Sequence, residues 1–170
     1  WTLKGMGDAL EIGTFVENAV GASASASLLL PAILFLVAIF LAFSTGTSWG
    51  TFAILVPIAI AMFPGTDKLE MMIISVSAVL AGAVCGDHVS PISDTTVMSS
   101  AGAQSNHINH VTTQMQYAAV VAVVCFIGYI IAGVSQSWWS ALGSSLVILL
   151  VVLTVMKRVF AAREKKSVAA

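Results

Sequence analysis

Asp87 and Asp94 are the only charged side chains between residues 71 and 156 of this 170-residue chain. They stand in the string GDHVSPISDTT (86–96), seven positions apart, with Ser90, Ser93, Thr95 and Thr96 around them and Pro91 between. An ionised acid at the centre of a bilayer costs about 2.5 to 3.5 kcal/mol, so two in one apolar stretch demand a functional reason. A small hard cation takes oxygen ligands, and these hydroxyls, with backbone carbonyls exposed beside Pro91, supply them. A carboxylate that must choose between a cation and a proton couples the movements of the two.

A second polar cluster, STGTSWG (44–50), interrupts another apolar stretch and offers Thr45, Thr47 and Ser48 beside Ser44. Paired interruptions of this kind mark the midplane ion sites of secondary transporters. Each feature also has a plainer reading, because serine and threonine in membrane helices commonly bond back to the preceding turn. His88, next to Asp87, is placed to relay protons, imidazole being the side chain that ordinarily titrates near neutrality. It suits a satisfied helix end nearly as well. His107 and His110 are three apart, but no Cys, Asp or Glu besides Cys125 lies between 106 and 156, so they read as loop structure rather than half a metal site. Trp49 is expected to pack beside its break.

The elements that must position these groups follow from composition. Apolar residues make up 58% of the chain and charged residues 9%, against about 25% charged in an ordinary globular protein, and mean hydropathy is +0.98. A soluble domain, a disordered tail and a nucleic-acid binder are excluded. Residues 18–66 carry no formal charge. The fold class is therefore an all-α polytopic membrane protein. Cys85 and Cys125 both lie in apolar stretches and read as buried thiols rather than a disulfide.

A simple span needs about 20 apolar residues. Residues 116–134 and 141–156 read as plain spanning helices, with Trp138 and Trp139 in the connection between them at headgroup level. Residues 28–63 are interrupted at 44–50 and residues 71–103 at 86–96. The apolar pieces on either side run 13 to 16 residues, short for a full crossing. The transmembrane region thus covers 28–156, preceded by a connector or interfacial segment (1–27) and followed by a basic tail (157–170). Five of the seven Lys and Arg follow the last helix, which places the C-terminus in the cytoplasm. The tail, the 104–115 loop and the Trp138 connection then fall inside, inside and outside. Parity leaves open whether 28–63 crosses or turns back as a re-entrant hairpin. Because the chain opens on Trp1 with no signal-peptide pattern, it reads as part of a larger protein.

At both interruptions the sequence resembles the NhaC-type sodium/proton antiporters. AFSTGTSWGTFAILVPIAIAM (42–62) looks like the first C-terminal signature of that family and GDHVSPISDTTVMSSAGAQSNHINHVTTQMQYA (86–118) like the second. The resemblance implies broken and re-entrant transmembrane helices forming half of an inverted-repeat secondary transporter, in a bacterial inner membrane, that exchanges cytoplasmic Na+ for external H+. The resemblance places Thr45, Thr47 and Ser48 on the first motif and Asp87, His88, Ser90, Ser93, Asp94, Thr95 and Thr96 on the second without dividing their roles. The leading expectation from the residues is Na+ or H+ at Asp94 with Ser93, Thr95 and carbonyls near Pro91, Asp87 as second titrating group or gate, and Thr45, Thr47 and Ser48 completing the cage beside Ser90 and Thr96. The chain reads as no enzyme and needs no cofactor. Its partners are Na+, H+, the lipid bilayer and the missing N-terminal half of the carrier, with a homodimer left open and nucleic acid excluded. One departure stands in QSNHINHV, where Asn106 and Asn109 replace the acids of a DHIDHV pattern.

Two other readings compete. An organic acid or amino acid antiporter would seat a carboxylate at a half-helix N-terminus such as Thr51, although no Lys or Arg is buried nearby to fix it. An intramembrane aspartyl protease would need Asp87 and Asp94 sharing a proton at about 3 Å.

Overall fold

The computed structural model describes residues 5–6, 9–11, 24–63 and 68–168. The 1–27 connector therefore lies largely outside the described residues. Six helices follow in order: α1 (Ala24–Thr45), α2 (Ser48–Ala61), α3 (Leu69–Val89), α4 (Asp94–Gly102), α5 (His107–Ser135) and α6 (Trp138–Val168), with no strand among the described residues. α1, α3, α5 and α6 each contain a stretch long and apolar enough to cross a membrane. The 14-residue α2 is shorter.

Small residues set the central contact. Ala78, Gly82 and Gly86 recur every fourth position on α3, and Ala38 and Ala42 do the same on α1. A Cβ on Gly82 or Gly86 would collide with the carbonyl oxygen of Phe35 or Ile39, so the two backbones touch. Without a hydrophobic drive between helices in lipid, such small-xxx-small faces are how helices associate. Contacts rise together along both helices: Phe35 meets Gly82, Ala42 meets Gly86, and Phe43 meets Ser90. α1 and α3 are therefore parallel neighbours, and the chain must come back between them. α2 makes that return, and its Leu55 and Ala59 join Leu34, Ala42, Ile74 and Val79 in the core.

α5 runs against both. Its Tyr129 hydroxyl pairs with Ser77 Oγ at 3.1 Å, while Gly133 sits on the carbonyl of Leu28 near the start of α1. Gln136, left-handed at φ 50°, then turns the chain into α6, which packs on α5 where Gly128 meets Ser145.

The helix-free stretches are narrower than composition suggests. Only Gly46 and Thr47 separate α1 from α2, and only residues 90–93 separate α3 from α4. The reason is local. Ser44 and Thr45 donate to Phe40 and Leu41 carbonyls at 2.8 Å, and a His88 ring nitrogen lies 3.0 Å from the Val84 carbonyl. Polar side chains that bond back to their own turn let the helix continue. The first apolar pieces are consequently full-length helices rather than halves: α3 has 21 residues, about 31 Å of rise. Likewise α5 begins at His107, inside the expected 104–115 loop, because Asn106 caps it by accepting from Asn109 N at 3.0 Å. α6 takes in both Trp138 and Trp139 and runs on through the basic segment to Val168.

Candidate ion site at the two helix breaks

The close α1–α3 packing delivers both breaks to one level. Gly46 has φ +68°, and a Cβ there would lie 2.9 Å from both Cγ1 and the carbonyl oxygen of Ile92. Glycine is required twice over, for the left-handed backbone and for the approach of the second turn. Ser90, fully buried, donates its hydroxyl to the Phe43 carbonyl at 2.7 Å. That carbonyl belongs to the last turn of α1, where no backbone N–H is left to serve it.

Asp87 follows Gly86 directly and is 8% exposed. Ser93, fully buried, donates to Asp87 Oδ1 at 2.6 Å, within the short range of charge-assisted O–H···O⁻ bonds. Thr95 Oγ1 lies 2.8 Å from Ser93 Oγ. Thr95 in turn lines a polar cleft of about 510 Å³ with His88, Thr96, Ser99, His110, Thr113, Gln114 and Tyr117. A continuous hydroxyl path thus runs from the buried carboxylate through Ser93 and Thr95 to the cleft. Thr96, 3% exposed, makes a longer contact of 3.4 Å to the His88 carbonyl. A larger cavity of about 770 Å³ lies elsewhere, lined by Leu69, Tyr129, Trp138 and their neighbours, and contains neither Asp87 nor Asp94.

The structure does not bring all expected site residues together. Asp94 is exposed in the first turn of α4 and makes no side-chain hydrogen bond among the described residues. Its carboxylate suits the positive end of that helix. Of the expected trio of Asp94, Ser93 and Thr95, the two hydroxyls are linked by hydrogen bonds to Asp87 rather than to Asp94. The reason is direction: α3 continues through Asp87 and aims it at the turn, whereas Asp94 starts a new helix facing out. Nor do Asp87 and Asp94 bond each other, one being buried and the other exposed.

From the first break the hydroxyls point elsewhere. Thr45 is exposed and bonded within α1, and Thr47 accepts from Gly50 N at 3.4 Å as the N-cap of α2. Ser48 is half-buried and has no side-chain partner among the described residues. Thr51, 1% exposed, donates to the Thr47 carbonyl at 3.1 Å, so its hydroxyl is already engaged. Trp49 is 80% exposed and contacts Phe52 edge to face, so it reaches outward rather than packing into the turn. His88 is an exposed helix-end residue on the cleft rather than a partner of Asp87.

One participant was missed. His107 Nε2 lies 2.7 Å from the Pro91 carbonyl, so one of that oxygen's two acceptor positions is already engaged. No spacing rule links residues 91 and 107.

Three comparisons place the chain among known proteins. The model of the Na+/H+ antiporter family matches residues 1–134. A protein of Haemophilus influenzae, described as an uncharacterized protein, is 45% identical over 158 residues, which is 93% of this chain and 30% of that relative. The chain therefore spans about 30% of the length of the relative it matches. No solved structure matches. A family match over most of a chain of four apolar candidate spans makes this a multi-pass membrane protein that belongs to the Na+/H+ antiporter family.

Proposed function

We propose that this chain is part of an NhaC-type carrier that exchanges cytoplasmic Na+ for external H+ across a bacterial inner membrane, with Asp87 as the group both ions compete for. The observation that carries the reading is the buried Asp87 carboxylate held by Ser93, itself joined to Thr95 at the mouth of a polar cleft. Carboxylate and hydroxyl oxygens are the ligands a hard monovalent cation accepts. A hydroxyl both donates and accepts, so Ser93 donates to the carboxylate and Thr95 donates to Ser93, and both oxygens also serve the cation as ligands and pass a proton when it leaves. Asp94 takes the outer role, as second titrating group at the exit.

In this reading α1 crosses, α2 turns back from it, and the turn between them meets the α3–α4 turn. The remainder of the carrier supplies the inverted partner repeat, and the C-terminus is cytoplasmic. Binding of one ion expels the other, and alternating access carries each across. The test uses everted vesicles holding the full-length carrier. A sodium pulse is expected to collapse an imposed proton gradient. Collapse only in the presence of malate or an amino acid would replace this reading with organic acid exchange, and no response to sodium in either condition would refute both.

A further inference from the structure

The turn that holds Ser93 against Asp87 has little backbone of its own to keep its shape. Its internal bonds are Ser90 N to the Asp87 carbonyl at 3.2 Å and Ser93 N to the Ser90 carbonyl at 3.3 Å, both at or beyond the usual limit for N–H···O. Pro91 contributes no donor. The shortest contact to this backbone comes from sixteen residues away, where His107 Nε2 meets the Pro91 carbonyl at 2.7 Å. A carbonyl only accepts, so Nε2 carries the proton. The other ring nitrogen, Nδ1, lies 3.0 Å from Ser100 Oγ on α4. One imidazole therefore ties the turn before α4 to the helix after it.

The base of this tie is rigid. His107 opens α5, whose first turn is closed by the Asn106 side chain. The far end of α5 is fixed on α1 by Gly133 and on α3 by the pairing of Tyr129 with Ser77. On its other side the turn rests on Gly46 through Ile92. Ser93 is the next residue.

We propose that His107 is a positioning residue for the Asp87 site, pinning the 90–93 turn through Pro91 so that Ser93 stays in register with the carboxylate. The inference rests on Asp87 being the ion-binding group. Removing the pin loosens the ligand set without removing a ligand. Sodium affinity should suffer more than turnover.

The test uses the full-length carrier with His107→Ala and His107→Gln, the second retaining an amide N–H donor for the Pro91 carbonyl. His107→Ala is expected to raise the apparent KM for sodium about 3- to 10-fold, the range of one lost hydrogen bond, with maximal rate changed less than about 2-fold. His107→Gln is expected to recover most of that loss. A transport-independent readout uses Ile92→Cys in a Cys85→Ser, Cys125→Ser background. Alkylation at position 92 should accelerate with His107→Ala and slow again with His107→Gln. Unchanged KM and alkylation in His107→Ala would overturn the inference, as would a KM defect with unaltered alkylation that Gln does not rescue. If the unmutated carrier shows no sodium-dependent proton movement, the functional reading fails, and the alkylation rates alone decide whether His107 pins the turn.

Discussion

Under the proposed function Ser93 governs ion binding at Asp87, because it supplies the one hydrogen bond the carboxylate accepts among the described residues. A hydrogen bond to a charged group is worth about 1.5 to 3 kcal/mol. Ser93→Ala should therefore weaken sodium binding about 10- to 100-fold in a titration of sodium-dependent proton movement, while Thr95→Val, one step further out, should cost less. Ser44→Ala and Thr45→Val should fall within about 0.5 kcal/mol of wild type in thermal stability, as surface changes usually do, since both hydroxyls serve only their own helix and its end. Ser75→Ala should be neutral or stabilising in the same assay, since Ser75 Oγ is buried with no hydrogen-bond partner among the described residues. That the two acids stand apart from every other charge was legible in the sequence. Which of them is enclosed was not, because burial of Asp87 comes from Ser93 and from the α1 backbone beside Gly86, and exposure of Asp94 comes from the start of a new helix.

Helices α1 and α3 form the platform, and their glycine-lined contact decides where the breaks meet. Gly86→Ala would push a methyl group into the Ile39 carbonyl, with backbone rather than a flexible side chain in the way. Overpacking of this kind costs about 1 to 3 kcal/mol, so a lower melting temperature in detergent and loss of sodium-dependent exchange are expected together. Gly46→Ala should be harmful for the separate reason that φ is positive there. The two interruptions and the two later helices could be read from composition and length. Their true extents could not, because hydroxyls and a histidine that look like helix breakers bond back to their own turns. A close-packing face on α3 was written in the Ala78, Gly82, Gly86 spacing, a signal that hydropathy ignores, but its parallel pairing with α1 was not.

At the scale of the whole molecule, outward apolar side chains such as Phe40, Leu146 and Val151, each more than half exposed, suit lipid or the rest of a carrier. α6 is the most exposed element: none of its candidate span is buried, and it lies beyond the family match. A chain covering about 30% of its relative is expected to lack the opposing scaffold for alternating access, so this segment reconstituted alone should move no protons in response to sodium. Exchange by the segment alone would contradict that expectation.

The proposed function makes Asp87, and not Asp94, the group for which sodium and protons compete. Its most direct test compares Asp87→Asn with Asp94→Asn in everted vesicles of the full-length carrier, following collapse of a proton gradient over a range of sodium concentrations. Asp87→Asn is expected to abolish the response at every concentration, while Asp94→Asn is expected to retain a response with altered rate. Sodium-dependent collapse that survives Asp87→Asn would contradict the proposed function.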